Sequence, residues 1–187
     1  PESCKNNAAK LRFRQLASSN QMFDWWHIDN VGITGSFSSE ASIQCGDVIT
    51  EDTTLTEHLS VCSGSGLIIG ADDVTLDCAG HLIEGSGSAT GIYINNFDGT
   101  TVQNCNVSGF RNGTKLYQSS YNNLNNNILT NNGNGIVIGY GSYYNNLSNN
   151  TVSYNNDEGI DLSSGGGYTT LSGNIVSNNG YFGIRVW

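Results

Sequence analysis

A glycine followed by apolar residues at alternate positions returns along the chain every 22 to 25 residues. The glycines that open these segments are Gly66, Gly91, Gly113, Gly135, Gly159 and Gly183. Two further columns of aliphatic residues advance with the same period. The second column contains Leu76, Val102, Leu124, Leu147 and Leu171, and the third contains Ile83, Val107, Leu129, Val152 and Val176. Three columns that share one period predict three short strands in each repeat.

A single coil of three short strands cannot bury its own apolar side chains, so successive coils must stack with their strands paired. Asparagine precedes the third strand at Asn127, Asn150 and Asn174, and Cys105 occupies the matching place. Inward asparagines can hydrogen-bond to their equivalents one coil away. We therefore predict an all-β chain in which residues 41–187 form a right-handed parallel β-helix with about 22 to 25 residues per coil.

Residues 1–40 follow a different pattern. Residues 11–16 and 25–33 alternate between apolar and polar with a period of two, and a turn-forming stretch lies between them at residues 17–20. This pattern predicts a β-hairpin. Because an isolated hairpin is marginally stable in water, it would cap the first coil, belong to a domain that lies upstream, or add its strands to a neighbouring molecule.

The charge of the chain disfavours two classes of partner. The net charge is −9, from 7 Lys and Arg against 16 Asp and Glu, and the basic residues form no stripe. A nucleic-acid-binding protein normally carries such a stripe, and an acidic surface disfavours contact with anionic membranes. The sequence also lacks a run of 18 apolar residues. We therefore expect neither nucleic-acid binding nor membrane insertion.

Five cysteines indicate an oxidising compartment, because none of them forms the CxxC pair that would suggest zinc. Cys45 and Cys62 bracket a short polar loop and are the first choice for a disulfide. Cys78 and Cys105 lie about one repeat apart and would stack in adjacent coils, either as a disulfide or as two buried thiols. Cys4 is left over. We therefore expect an extracellular or cell-surface protein.

Two segments resemble known families. Residues 45–50 and 74–81 resemble the pectin-lyase-like β-helix repeat proteins of prokaryotic cell surfaces, and the likeness extends over residues 44–187. It implies the fold but not one activity, since that group contains lyases, epimerases, glycan-binding modules and structural spacers. Residues 8–36 resemble the last two strands of a jelly-roll domain of the adhesion or carbohydrate-binding type.

Acidic residues give no convincing catalytic cluster. Paired carboxylates for glycoside hydrolysis should lie within roughly 5–10 Å of each other. From Asn112 onward, only Asp157, Glu158 and Asp161 are plausibly that close. A solvated corner or a weak calcium site accounts for these residues better than a catalytic pair. We therefore predict no catalytic residues, no metal site beyond this weak calcium candidate and no other cofactor.

Residues that suit carbohydrate are distributed over several coils. Outward positions of the first strand column, together with an exposed loop, supply the candidates for contact with a glycan: Tyr93, Lys115, Tyr140, Asp161 and Arg185. Four sequons supply candidates for N-glycosylation: Asn106, Asn112, Asn146 and Asn149.

The regular solenoid favours a non-enzymatic extracellular structural protein, such as a segment of a surface fibre or adhesin. It would associate with itself or with neighbouring domains of a longer chain, end to end, through unpaired strands. The candidates for that interface are Phe13, Trp25, Trp26, Ile28, Ile184, Val186 and Trp187. The alternative is a module of the same fold that binds or degrades polysaccharide.

Overall fold

A computed structural model describes residues 42–162 and 166–186 of the chain. The regular structure in these two ranges is β-strand throughout, so the predicted all-β class is confirmed for them. They contain no helix that is long and apolar enough to cross a membrane. The predicted hairpin, with Phe13, Trp25, Trp26 and Ile28, lies outside the described residues, as does Trp187.

The described strands form three parallel sheets, and each coil contributes one strand to each sheet. The first sheet contains β1 (Val48–Ile49), β4 (Leu67–Ile69), β7 (Thr90–Asn95), β10 (Asn112–Tyr117), β13 (Asn134–Ile138), β16 (Ile160–Leu162) and β19 (Ile184–Val186). The second contains β2 (Thr53–Thr54), β5 (Thr75–Asp77), β8 (Thr101–Gln103), β11 (Asn123–Asn125), β14 (Asn146–Ser148) and β17 (Thr170–Ser172). The third contains β3 (Leu59–Cys62), β6 (Leu82–Gly85), β9 (Asn106–Ser108), β12 (Ile128–Thr130), β15 (Thr151–Ser153) and β18 (Ile175–Ser177).

The pairing register confirms the columns that the periodicity predicts. In the first sheet, Ile92 pairs with Thr114, which pairs with Ile136, which in turn pairs with Ile160. The aliphatic columns of the second and third sheets are in register in the same way. The described residues therefore fold as a parallel β-helix of about six turns with three strands per coil.

One continuous apolar core runs between the three sheets. Its members include the fully buried side chains Leu76, Ile92, Leu124 and Ile136. Full burial of one such side chain stabilises a fold by roughly 1.5–3 kcal/mol relative to leaving it exposed. Because each coil contributes several of these side chains, stacking is the main source of stability in the helix.

Asparagine side chains connect the coils at the corners. Asn127 Nδ2 donates to Asn150 Oδ1 at 3.0 Å, and Asn150 Nδ2 donates to Asn174 Oδ1 at 3.0 Å. This confirms the predicted inward column. The structure adds two further buried columns, which begin at Asn122 and Asn132 and continue one coil later. Each amide also meets backbone groups of neighbouring coils, so these buried polar groups are satisfied.

The repeated glycines lie where adjacent coils approach most closely. A Cβ atom added to Gly135 would meet the carbonyl oxygen of Gly159 at 2.5 Å. A similarly short contact with the carbonyl oxygen of the next glycine in the column would arise at Gly91, Gly113 and Gly159. Contacts this short do not occur for real Cβ atoms, so any larger residue would force the coils apart. Packing therefore requires a glycine at the start of each repeat from Gly66 to Gly159, whereas a Cβ atom at Gly183 would make only an ordinary contact with Val176, at 3.7 Å.

Two disulfides brace the first coils of the stack. Cys45 bonds to Cys62, with a separation of 17 residues, and Cys78 bonds to Cys105, with a separation of 27 residues. Both predicted pairings are confirmed, and the second is a disulfide rather than two thiols. Because it joins consecutive coils, it restricts the unfolded chain as well as the folded one.

Candidate functional site

The outward face of the first sheet carries the row of side chains that the sequence proposed for contact with a glycan. Tyr93 pairs with Lys115, which pairs with Val137. Val137 pairs with Asp161, which pairs with Arg185. Four of the five candidates thus lie in one register row. The fifth, Tyr140, lies beyond the end of β13 and is exposed.

Arg185 contacts two acidic side chains at this end of the row, Glu158 and Asp161. Its guanidinium forms an ion pair with Glu158, and its Nε lies 3.5 Å from Asp161 Oδ1. Glu158 is buried, whereas Asp157 is exposed. Two of the three carboxylates suggested for calcium therefore already face a cation of the same chain. A buried carboxylate beside an arginine is held in place by that partner.

A polar cleft opens over β7, β10 and β13 of the same sheet. Its volume is about 390 Å³, and its lining consists of Ala89, Thr90, Arg111, Asn112, Lys115 and Asn134. Arg111 was missed by the sequence reasoning, because it lies just before β10 and outside the strand columns. The cleft brings Lys115 together with Arg111 and separates both from the acidic end of the row.

A second groove follows the corner between the second and third sheets. Its volume is about 410 Å³, and it is lined by Asp77, Ala79, Gly80, Asn104, Asn106, Asn126 and Ile128. The Asp77 carboxylate accepts hydrogen bonds from Asn104 Nδ2 at 3.0 Å, from Ala79 N at 2.8 Å and from Gln103 Nε2 at 2.9 Å. The bond from Asn104 is the main cause that lowers the pKa of Asp77. Partial burial opposes it, and Ala79 and Gln103 lower that pKa further.

Two histidines meet in the first described coils. The rings of His58 and His81 pack edge to face with their centroids 5.0 Å apart. His58 Nδ1 accepts a hydrogen bond from the backbone N–H of Leu82 at 2.9 Å, which ties the first coil to the second. These contacts give both histidines a structural role in joining the coils.

Tyrosines form a stack at the corner between the first and second sheets. The rings of Tyr121 and Tyr144 lie 5.2 Å apart, and those of Tyr144 and Tyr168 lie 4.9 Å apart, with interplanar angles of 6° and 7°. All three side chains are exposed. Because the rings stack face to face, both faces of Tyr144 and the inner faces of Tyr121 and Tyr168 are occupied within the stack.

The four sequon asparagines remain predictions. Asn106, Asn112 and Asn146 are half-buried, and Asn149 is exposed. The amides of Asn106 and Asn146 donate hydrogen bonds to Gly80 O and Asn123 Oδ1. Asn149 Nδ2 donates as well, to Asn125 Oδ1 at 3.4 Å, so glycosylation at any of these three positions would break a hydrogen bond. Asn149 is the most accessible of the four by exposure.

Comparison with known proteins gives one match. A family described as "Periplasmic copper-binding protein (NosD)" matches residues 15–187. No curated protein and no solved structure matches the chain.

Copper would need a set of imidazole or sulfur ligands. Within residues 42–162 and 166–186, no group of three or more His, Cys, Asp or Glu side chains is placed to hold a metal ion. The four cysteines within the described residues are bonded in disulfides. Nδ1 of His58 already accepts a backbone hydrogen bond. The described residues therefore do not fit a copper centre, and we derive no chemistry from one.

The family match agrees with the fold and with a location outside the cytoplasm. NosD is a periplasmic, pectin-lyase-like family of parallel β-helices, so the resemblance of residues 44–187 to that group is confirmed. The jelly-roll resemblance of residues 8–36 lies outside the described residues and stays a prediction. The two disulfides fit a location outside the cytoplasm. Since the match extends over most of the chain, the protein belongs to the NosD family of periplasmic β-helix proteins.

Proposed function

We propose that this β-helix is a non-enzymatic structural segment of a periplasmic or surface-exposed fibre or adhesin, and that copies of it stack end to end. What supports this is the geometry of the stack, in which each coil presents the same three strand edges to the next. A solenoid of this kind can be extended by adding coils without changing those already present.

The edge of the last described coil carries the proposal. Among the described residues, β17, β18 and β19 each pair along one edge only. Ile184 and Val186 belong to inward columns, yet they are 45% and 68% exposed, whereas their equivalents Ile160 and Leu162 are buried. An unpaired edge with exposed inward side chains is a template for another strand.

The occupant that we propose for this edge is the first coil of a second copy. Head-to-tail contact of this kind is heterologous, and it produces an open filament unless the rotation closes a ring. Further coils of a longer chain would occupy the same edge, so the assembly has to be tested with a chain of defined length.

The assembly state of the 187-residue chain tests the proposal. Sedimentation velocity and negative-stain electron microscopy over a range of concentrations should show elongated species that grow with concentration. Val186→Lys places a charge on the edge and should abolish growth. Ile175→Lys is the matched control, because Ile175 lies in the same coil but is exposed on the outward face of its sheet. Monomers at every concentration, with an intact β-sheet spectrum, would overturn the proposal.

A module that binds or degrades polysaccharide is the second candidate. The adjacent outward side chains of Tyr93 and Lys115 favour it, because an aromatic ring beside a hydrogen-bond donor suits a sugar. Affinity electrophoresis in gels that contain neutral or acidic polysaccharides should retard the chain, and Tyr93→Ala should reduce the retardation. Equal mobility in gels with and without polysaccharide would remove this candidate.

A further inference from the structure

Charge is distributed very unevenly along the β-helix. The chain has a net charge of −9, yet it contains no Asp or Glu between Asp98 and Asp157. Within that stretch the only charged residues are Arg111 and Lys115. More than two consecutive coils are therefore free of carboxylates and carry both cations. A local excess of positive charge on an acidic protein is a feature that attracts anions.

Neither cation forms an ion pair among the described residues. This distinguishes both of them from Arg185, which is bound to Glu158 and lies beside Asp161. Lys115 Nζ lies 6.0 Å from the centroid of the Tyr117 ring, at the outer limit of a cation–π contact. Both positive charges are thus available to a ligand.

The two side chains line the same cleft, together with Thr90, Asn112 and Asn134. Asn112 pairs with Thr90 on one side and with Asn134 on the other. Asn134 Nδ2 donates to Asn112 Oδ1 at 3.2 Å, which occupies the oxygen of that amide. The Asn112 Nδ2 group makes no hydrogen bond within the part of the chain that the structure describes. It adds a neutral donor to the two cations.

The backbone holds this arrangement in place before a ligand arrives. Arg111 N donates to Ala89 O at 3.1 Å, and Arg111 O accepts from Asn134 N at 2.8 Å. The backbone groups that could repel an anion are therefore engaged in coil-to-coil pairing. The backbone of the site is therefore ordered before a ligand binds, and only the Arg111 and Lys115 side chains lose conformational entropy on binding.

We propose that this cleft binds a doubly charged oxyanion of the phosphate or sulfate type, either free or carried on a saccharide. A guanidinium offers two parallel donors to such a group, and an ammonium offers a point charge. Two unpaired cations match the two charges of the anion. The proposal does not depend on end-to-end assembly, since the cleft lies between central coils.

Calorimetric titration with sodium phosphate and sodium sulfate at constant ionic strength tests the proposal. Saturable binding of one anion per chain is expected, with no saturable heat from chloride. Arg111→Gln and Lys115→Gln should each weaken binding by about tenfold, the loss expected for one charged hydrogen bond. Thr56→Asp changes the net charge by the same amount at an exposed site in the first coil, and it should bind as the unmodified chain does.

A second arm identifies the source of the anion. Glucose 6-phosphate is titrated beside inorganic phosphate, with glucose as the neutral control. Tighter binding of the sugar phosphate assigns the cleft to an anionic saccharide, and equal binding assigns it to the free anion; both results support the site. Absence of saturable binding, or equal affinities for the unmodified chain and both Gln variants, would overturn it. Circular dichroism of each variant confirms that the sheet is retained.

Discussion

At the scale of single residues, buried asparagine side chains form the hydrogen bonds to backbone groups that water or a turn would form in other folds. Asn127 is buried, and its side chain accepts from Cys105 N at 3.0 Å and donates to Val102 O at 2.9 Å. One side chain thus satisfies backbone groups of another coil. The abundance of asparagine in this sequence reflects a requirement of the corners as well as of the surface.

Replacement of Asn127 should therefore be costly. Asn127→Ala leaves a buried N–H and a buried carbonyl without their partner, and we expect a loss of about 2–5 kcal/mol in the free energy of unfolding. Asn156→Ala is the control, because Asn156 is exposed and its side chain forms no hydrogen bond in the described residues. Urea denaturation followed by circular dichroism measures both. A loss in the control as large as that in Asn127→Ala would contradict the explanation.

Asp77 should make the stability of the fold depend on pH. Its pKa is lowered in the folded state, chiefly by the hydrogen bond from Asn104, so the ionised carboxylate stabilises the fold. This contribution is complete above the unfolded pKa of about 3.9 and is lost as the pH falls through the lower, folded value. The stability difference between the unmodified chain and Asp77→Asn should be constant near neutral pH and shrink below about pH 4. A difference that stays constant throughout acid titration would argue against this role.

At the scale of the strand, close approach of the coils sets the tolerance to substitution. Gly135→Ala would drive a methyl group into the carbonyl oxygen of Gly159, and we expect a destabilisation of about 1–3 kcal/mol. Gly64→Ala is the matched control, since a Cβ atom there meets nothing within 4 Å. Its effect should stay within about 0.5 kcal/mol. Thermal unfolding of the two variants measures the difference. Equal melting temperatures for Gly135→Ala and Gly64→Ala would refute the role of close coil contact.

The sequence predicted the strands well because most inward strand positions hold aliphatic side chains, which repeat visibly; the buried Thr114 is an exception. The buried columns that begin at Asn122 and Asn132 were not predicted. The loops contain both inward and outward asparagines, and residue type alone does not distinguish them. Arg111 was missed for a related reason. Its importance depends on the cleft that it lines with Lys115 and, from the next coil, Asn134. It also depends on a run of residues without carboxylates, which single positions do not reveal.

At the scale of the whole molecule, stability should follow the number of neighbours of each coil. Strands β11 and β12 pair on both sides, whereas β17 and β18 pair on one side among the described residues. In dilute solution, amide hydrogens of β17 and β18 should exchange at least about tenfold faster than those of β11 and β12. Hydrogen exchange followed by mass spectrometry measures the difference. If all strands exchanged their amide hydrogens at the same rate in dilute solution, the stability of a coil would not depend on its number of neighbours.

The tyrosine stack gives the molecule a built-in optical signal. Tyr121, Tyr144 and Tyr168 come from three successive coils, and their rings are nearly parallel at spacings of 5.2 and 4.9 Å. Chromophores so arranged couple electronically, and the coupling disappears when any one ring is displaced. Near-ultraviolet dichroism at the tyrosine band should therefore change when these coils separate, so that their unfolding can be followed without attaching a label.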